Sequence, residues 1–203
     1  MSVYDRAMES RSDVTVFILA GGKSTRMGTD KAFAPFNGRT LLARTLDVAH
    51  SLTPHVRIVG EPAKYSPFAP AVEDVYPGCG PLGGIHAALR SSATDLNVIL
   101  PVDVPFVSLA LLQFLAARAI SSPTSLVTVA RANGGLQPLC AVYRREFAEA
   151  AERALRSGRY KIDALFDETS TQVISEEELE SAGFSPNIFR NLNTPDELAE
   201  AQR

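Results

Sequence analysis

The sequence predicts an α/β fold with a mostly parallel, twisted sheet, and three observations lead there. Short runs rich in β-branched and other apolar residues alternate along the chain with amphipathic helical stretches. That alternation makes βαβ units, whose crossovers put parallel strands side by side. Several of the runs end in glycine or in an acid, the residue types that gather at the carboxyl ends of parallel strands, where such sheets bind ligands.

Taken in order, the first strand is Val14–Leu19, apolar in all but one position and followed by Gly21-Gly22. Arg39–Leu52 has helical spacing, with Leu41, Leu42, Leu46, Val48 and Ala49 as its apolar set. His55–Val59 reads as the second strand, and Ala71–Val75 as a weaker one. Leu82–Leu89 follows Pro81 as a helix, and Val98–Leu100 is a buried strand running into Pro101-Val102-Asp103. Leu109–Ala119 is helical behind Ser108. Leu126–Ala130 and Leu139–Tyr143 are strands, and Arg145–Leu155 is a helix stopped by Ser157-Gly158. Gln172–Ile174 and Asn187–Arg190 are weaker strand candidates. Thr194 followed by Pro195 is a cap with proline at the first helical position, so Pro195–Gln202 closes the chain as a helix.

Composition narrows the function classes. With 203 residues, 45% hydrophobic and 21% charged, the chain can bury a substantial core as one globular domain, assigned to 14–203. Residues 1–13 are polar, without an apolar signal region, and read as a flexible tail. A net charge of −3 gives no basic field for nucleic acid, and no run is long enough to span a membrane. The two cysteines, Cys79 and Cys140, have no metal-ligand spacing, which fits a reducing cytoplasm.

The chemistry concentrates after the first strand. Gly21-Gly22 permits close approach of backbone to a ligand. Arg26 and Lys31 add a planar fork and a point charge for phosphate oxygens. This is not a P-loop, because the first glycine of that pattern falls at Phe17, and it is not a dinucleotide fingerprint either. A plain strand-to-loop turn with solvated cations is the alternative. Asp103, at the end of a buried strand, needs a partner. It is either a satisfied loop acid near the helix at Ser108 or a ligand of Mg²⁺, which takes one or two carboxylates plus waters and phosphates. Glu73-Asp74 ends a third strand, so three strand ends face one candidate crevice.

Leu19-Ala20-Gly21-Gly22-x-x-x-Arg26-Met27-Gly28-x-Asp30-Lys31 resembles the signature of the Rossmann-like nucleoside-triphosphate transferases, and within them the molybdenum cofactor guanylyltransferases. The resemblance runs from Val14 to the C-terminus and implies a three-layer Rossmann-like nucleotidyltransferase fold. It implies GTP and molybdopterin as substrates, Mg²⁺ as cofactor and other molybdenum-cofactor proteins as further partners. GMP is transferred to the molybdopterin phosphate, and pyrophosphate leaves. Carried over residue by residue, it makes Arg26, Lys31 and Asp103 catalytic and Asp103 the metal ligand. Leu19, Ala20, Gly21, Gly22, Lys31, Asp74 and Asp103 become nucleotide contacts. Gln137 in Gly134-Gly135-Leu136-Gln137-Pro138, and Asn191 and Asn193 in Asn191-Leu192-Asn193-Thr194-Pro195, become contacts to the acceptor. Where the family often has an asparagine near the end of the second strand, this chain has Val59-Gly60. Gly158-Arg159-Tyr160-Lys161 supplies cations for the acceptor phosphate or merely ends a helix with basic residues. A cytidylyl or sugar-phosphate transferase of the same fold is the near alternative. A non-catalytic adaptor is the distant one, disfavoured by the intact set Arg26, Lys31 and Asp103.

Overall fold

The computed structural model of the chain describes residues 13–21 and 30–202. Residues 1–12 of the expected tail, and the candidates Gly22 and Arg26, lie outside the described residues. A seven-stranded sheet forms the centre, in the order β5-β4-β1-β6-β8-β7-β9. Its strands are β1 (Val14–Leu19), β4 (Val56–Val59), β5 (Ala71–Val72), β6 (Leu96–Pro101), β7 (Val127–Ala132), β8 (Gly135–Arg144) and β9 (Thr171–Ile174). A two-residue hairpin, β2 (Pro35–Phe36) and β3 (Arg39–Thr40), stands apart from it. The helices are α1 (Leu41–Leu52), α2 (Pro62–Tyr65), α3 (Pro81–Ser91), α4 (Leu109–Ser121), α5 (Phe147–Arg156), α6 (Glu176–Ser181) and α7 (Pro195–Glu200).

The period-two alternation of the strands builds the three layers. Val14, Val16 and Ile18 of β1, with Val98 and Leu100 of β6, face one side, where Leu42, Leu111, Leu115 and Leu198 cover them. Phe17 and Ile99 face the other, against Leu82, Ile85 and Leu89 of α3 and Ala151 and Leu155 of α5. Each such fully buried side chain stabilises the fold by about 1.5–3 kcal/mol. β1 is bonded on both edges in parallel register, Leu19 level with Val59 of β4 and with Pro101 of β6. These strands therefore end along one line, and the loops after them share one edge of the sheet.

The sheet is parallel except for β8, which runs antiparallel between β6 and β7. A tight hairpin turn at Asn133 and Gly134, both at positive φ (53° and 75°), reverses the chain there. Asn-Gly suits that turn because both residues tolerate the left-handed region. The same pair, Asn37 (φ 48°) and Gly38 (φ 77°), turns the β2–β3 hairpin. That hairpin makes Thr40 the cap of α1, its Oγ1 accepting from the Ala43 amide at 3.1 Å, so the helix expected from Arg39 begins at Leu41.

Two weak strand expectations are corrected. Asn187–Arg190 is not a strand but part of a 3₁₀ turn, Pro186–Phe189. Ser185 caps it and Pro186 presets its first residue, while Phe189 is buried at 4% exposure. Ala71–Val75 shortens to Ala71–Val72, because Asp74 folds its carboxylate onto the Tyr76 amide at 2.8 Å and turns the chain. Among the described residues no helix is long and apolar enough to cross a membrane.

Candidate active site

Along the shared edge of the sheet, the loops follow strand order: Asp74 after β5, Gly60 after β4, Ala20-Gly21 after β1, Asp103 after β6. Two strands, β4 and β1, stand between β5 and β6, so Asp74 and Asp103 follow strands that are not neighbours. The three strand ends line one edge, with Asp74 at its far end.

Asp103 is held by its neighbours. Val102 and Val104 on either side of it are buried at 7% and 5% exposure. The Val102 amide donates to the Leu19 carbonyl at 3.2 Å, and the Asp103 carbonyl accepts from the Leu192 amide at 3.0 Å. That second bond docks the C-terminal segment. Leu192 is fully buried, and alternation leaves Asn191 and Asn193 exposed on either side of it.

Lys31 then closes the group. Its Nζ donates to Asp103 Oδ2 at 2.6 Å and to Asn193 Oδ1 at 2.7 Å, drawing together residues from the start, middle and end of the chain. The Lys31 and Asp103 side chains are 12% and 20% exposed, so the pair is shielded but reachable. Asn193 is set by the capping box of α7. The Glu197 carboxylate accepts from the Asn193 and Thr194 amides at 2.5 and 3.0 Å, and Thr194 Oγ1 accepts from the Glu197 amide at 3.2 Å. The Asn193 amide, above all, holds the Glu197 carboxyl below its ordinary range, and the Lys31 charge adds to that pull.

Asp103 Oδ1 is buried and accepts no hydrogen bond from a described residue. An orphaned carboxylate oxygen is costly, and a cation relieves it. No group of three or more His, Cys, Asp or Glu side chains able to hold a metal occurs among the described residues. One carboxylate with an amide oxygen nearby suits a hard ion that brings waters and phosphate oxygens as its other ligands, which is the habit of Mg²⁺. The residues present fit that ion.

The glycine turn differs from expectation in one respect. The Ala20 and Gly21 amides both donate to the Val59 carbonyl, at 3.0 and 3.1 Å. Neither N–H is free for a phosphate, so these two residues offer a ligand shape rather than donors. A side chain on Gly21 would meet only ordinary contacts, the nearest 3.7 Å away, so packing alone does not demand glycine there.

Asp74 sits at the N-terminal end of α3. A Cβ on Gly83 would fall 2.8 Å from Asp74 Oδ2 and 2.9 Å from Oδ1, so glycine at that position is what admits the carboxylate. Gln137 turns back on its own hairpin, its Nε2 donating to the Ala132 carbonyl at 2.9 Å. Its Oε1 has no partner among the described residues. Asn191 is exposed beside Asn193.

A second cluster lies beside the first, around Asp30. Asp30 Oδ1 caps the 3₁₀ turn Lys31–Phe33 by accepting from the Ala32 amide at 2.9 Å. Its Oδ2 is met by the Lys64 ammonium and lies 2.9 Å from the Tyr65 hydroxyl. The same hydroxyl lies 3.0 Å from the Ala20 carbonyl oxygen. No local spacing announces the contacts of Lys64 and Tyr65, which join residues more than thirty positions apart.

Comparison with known proteins bears on this arrangement. Residues 16–173 match the family described as MobA-like NTP transferase domain. The chain is 35% identical over 192 residues to a molybdenum cofactor guanylyltransferase of Desulfosudis oleivorans, covering 93% of this chain and 94% of that one. It is 34% identical over 195 residues to the Vibrio cholerae protein of the same name, covering 93% and 91%. Among solved structures, molybdopterin-guanine dinucleotide biosynthesis protein A from Archaeoglobus fulgidus superposes with a TM-score of 0.79 at 26% identity, covering 93% and 96%. A 2-C-methyl-D-erythritol 4-phosphate cytidylyltransferase from Thermus thermophilus shares the fold, with a TM-score of 0.67 at 20% identity over 94% and 97%.

Proposed function

This chain belongs to the MobA-like NTP transferase family, and on that footing we propose that it transfers GMP from GTP to the phosphate of molybdopterin, with Mg²⁺. The observation that carries the reading is the Lys31 ammonium held between Asp103 and Asn193 at the carboxyl edge of the parallel strands. A cation, an acid with a spare oxygen and an amide are together there, as the joining of two polyanions requires.

An oxygen of the acceptor phosphate attacks the α-phosphorus of GTP. The new P–O bond forms as the bond from the α-phosphorus to the bridging oxygen breaks, and the electron pair leaves on pyrophosphate. The acceptor is already an anion, so no general base is needed, and catalysis is positioning and charge neutralisation. Lys31 offsets charge on the α-phosphate and leaving group, and Arg26, by its place in the signature, shares that task. Asp103, whose Oδ1 is unpartnered among the described residues, would be the residue to hold Mg²⁺. The chemistry such an ion would supply there is Lewis-acid neutralisation of the phosphate charge. Glu197 keeps Asn193 in place through the backbone. Asp74, at the far end of the edge, addresses the nucleoside, and Gln137 and Asn191 address the pterin side. The two free cysteines fit a cytoplasmic setting, where other molybdenum-cofactor proteins receive the product.

The test is mass identification of the product from molybdopterin with GTP or CTP, with Mg²⁺ or with chelator. A guanine dinucleotide and pyrophosphate formed only with the ion are expected. A cytosine product formed faster than the guanine one, or no transfer at all, would overturn the reading.

A further inference from the structure

The Tyr65 hydroxyl stands between two residues of the first loop, close to Ala20 at the end of β1 and to Asp30 immediately before Lys31. Resting on the proposed transfer reaction, we infer that Tyr65, assisted by Lys64, is a positioning residue: it ties Asp30 to the end of β1 and thereby sets Lys31 against the substrate phosphates.

Each part of this tie has a physical cause. Tyr65 closes α2, which Pro62 opens directly after β4, so its ring is brought beneath the sheet edge, where it is 2% exposed. Gly60 makes room for it. A Cβ at that position would lie 2.7 Å from the Tyr65 ring, well inside contact distance. Phe33 stacks on the same ring with centroids 6.1 Å apart and planes 10° from parallel. Burial, then the Glu61 carboxylate, push the hydroxyl above the ordinary tyrosine range, so it remains a proton donor throughout the working pH range. Its one proton is shared between two acceptors, the Ala20 carbonyl and the Asp30 carboxylate.

Lys64 adds the charge that Asp30 needs. Its ammonium pairs with Asp30 Oδ2 and lies 5.5 Å from the Phe33 ring centre and 5.3 Å from that of Tyr65. The other oxygen of Asp30 caps the turn that begins at Lys31. Among the described residues, neither Tyr65 nor Lys64 is hydrogen-bonded to Lys31, Asp103 or Asn193; Lys31 Nζ donates to Asp103 and Asn193 instead. They act on the reaction through Asp30. Asp30 in the signature therefore has a task of its own, which is to convert the anchorage of α2 into the placement of Lys31.

The experiment compares Tyr65→Phe with the wild type, alone and in a Lys31→Ala background. Phenylalanine keeps the packing against Gly60 and Phe33 and deletes only the hydroxyl. Expected is a fall in kcat of roughly 5–10-fold, the worth of one hydrogen bond, with KM for GTP nearly unchanged. In the Lys31→Ala background the same change should cost less than about 2-fold, because the group it positions is already gone. Lys64→Met should lower kcat alongside it and Lys64→Arg restore most of the loss. Hydrogen exchange at the Ala32 amide, read without substrate, should quicken in Tyr65→Phe. An undiminished kcat, or a loss of equal size in both backgrounds, overturns the inference. If the wild type itself transfers no nucleotide, the reading of function fails instead. Ala32 exchange then decides the tie alone: faster exchange in the variant supports it and unchanged exchange overturns it.

Discussion

Replacing Lys31 with methionine separates what the ammonium does for the fold from what it does for the reaction. Methionine keeps most of the side chain's volume and removes the charge. In the free protein that charge sits 2.6 Å from Asp103 Oδ2, with the two side chains 12% and 20% exposed. Two unit charges about 4 Å apart attract by about 4 kcal/mol at an effective dielectric of about 20. Desolvation of both groups offsets much of this, and residual exposure lowers it below the ~3–5 kcal/mol lost when a fully buried pair is broken. Lys31→Met should therefore destabilise by about 1–3 kcal/mol, leaving Asp103 partly buried without a cation. Chemical denaturation reads that number. Adding Asp103→Asn removes the stranded charge, so the double variant should be more stable than Lys31→Met alone. Turnover should not follow stability. Lys31→Met should lose roughly 10²–10³-fold, the scale of one preorganised charge in a transition state, and the double variant should lose at least as much. Asp103→Asn alone should raise the Mg²⁺ needed for half activity by at least about tenfold. Turnover of Lys31→Met near the wild-type value, or a double variant no more stable than the single one, would refute the reasoning.

Two further outcomes follow from the geometry. Gly83→Ala places a methyl 2.8 Å from Asp74 Oδ2 and 3.0 Å from the Tyr76 carbonyl oxygen. A loss of about 1–3 kcal/mol in urea unfolding is expected from that crowding, with weaker GTP binding by calorimetry; a neutral substitution would show that Asp74 does not need its place at α3. Glu197 titrates below its ordinary value because the Asn193 amide, chiefly, bonds its carboxylate. A depressed folded value means stabilisation is present above the unfolded carboxyl pKa of about 4.3 and is lost as pH falls through the folded one. The difference in melting temperature between wild type and Glu197→Ala should accordingly be steady from pH 7 to about 5 and shrink in stronger acid. A difference independent of pH would rule out the charged cap.

The periodic parts of this molecule were legible because periodicity is local. Val14–Leu19 is apolar in all but one of its residues, the mark of a strand buried on both sides, and its two faces meet the two cores accordingly. Lys31, Asp103 and Asn193 were legible through motif resemblance, and the fold brings all three together. The apolar run Leu139–Tyr143 marks a strand but not its direction, and β8 runs antiparallel to both neighbours. The sign was present in Asn133-Gly134, a pair that reverses a chain tightly and so makes an antiparallel neighbour. The Asn187–Arg190 segment has strand-like composition, yet a serine cap and a proline turn it into a 3₁₀ turn. Tyr65 and Lys64 were invisible for a different reason. Their partners are a carbonyl oxygen at Ala20 and a carboxylate at Asp30, and nothing in the residues around position 65 encodes an encounter so distant in sequence.

The span of the Lys31–Asn193 contact has a meaning during synthesis. The two residues are 162 positions apart, and Asp103 is tied to Leu192 by its own backbone. A growing chain can pair β1, β4 and β6 as each leaves the ribosome, but Lys31 gains its last partner only when residues 191–193 have been made and docked. Contacts of such length are entropically the slowest to close. The nascent protein is thus a folded sheet before it is a finished site, and the polar group around Lys31 is completed only by the docking of Leu192 and Asn193.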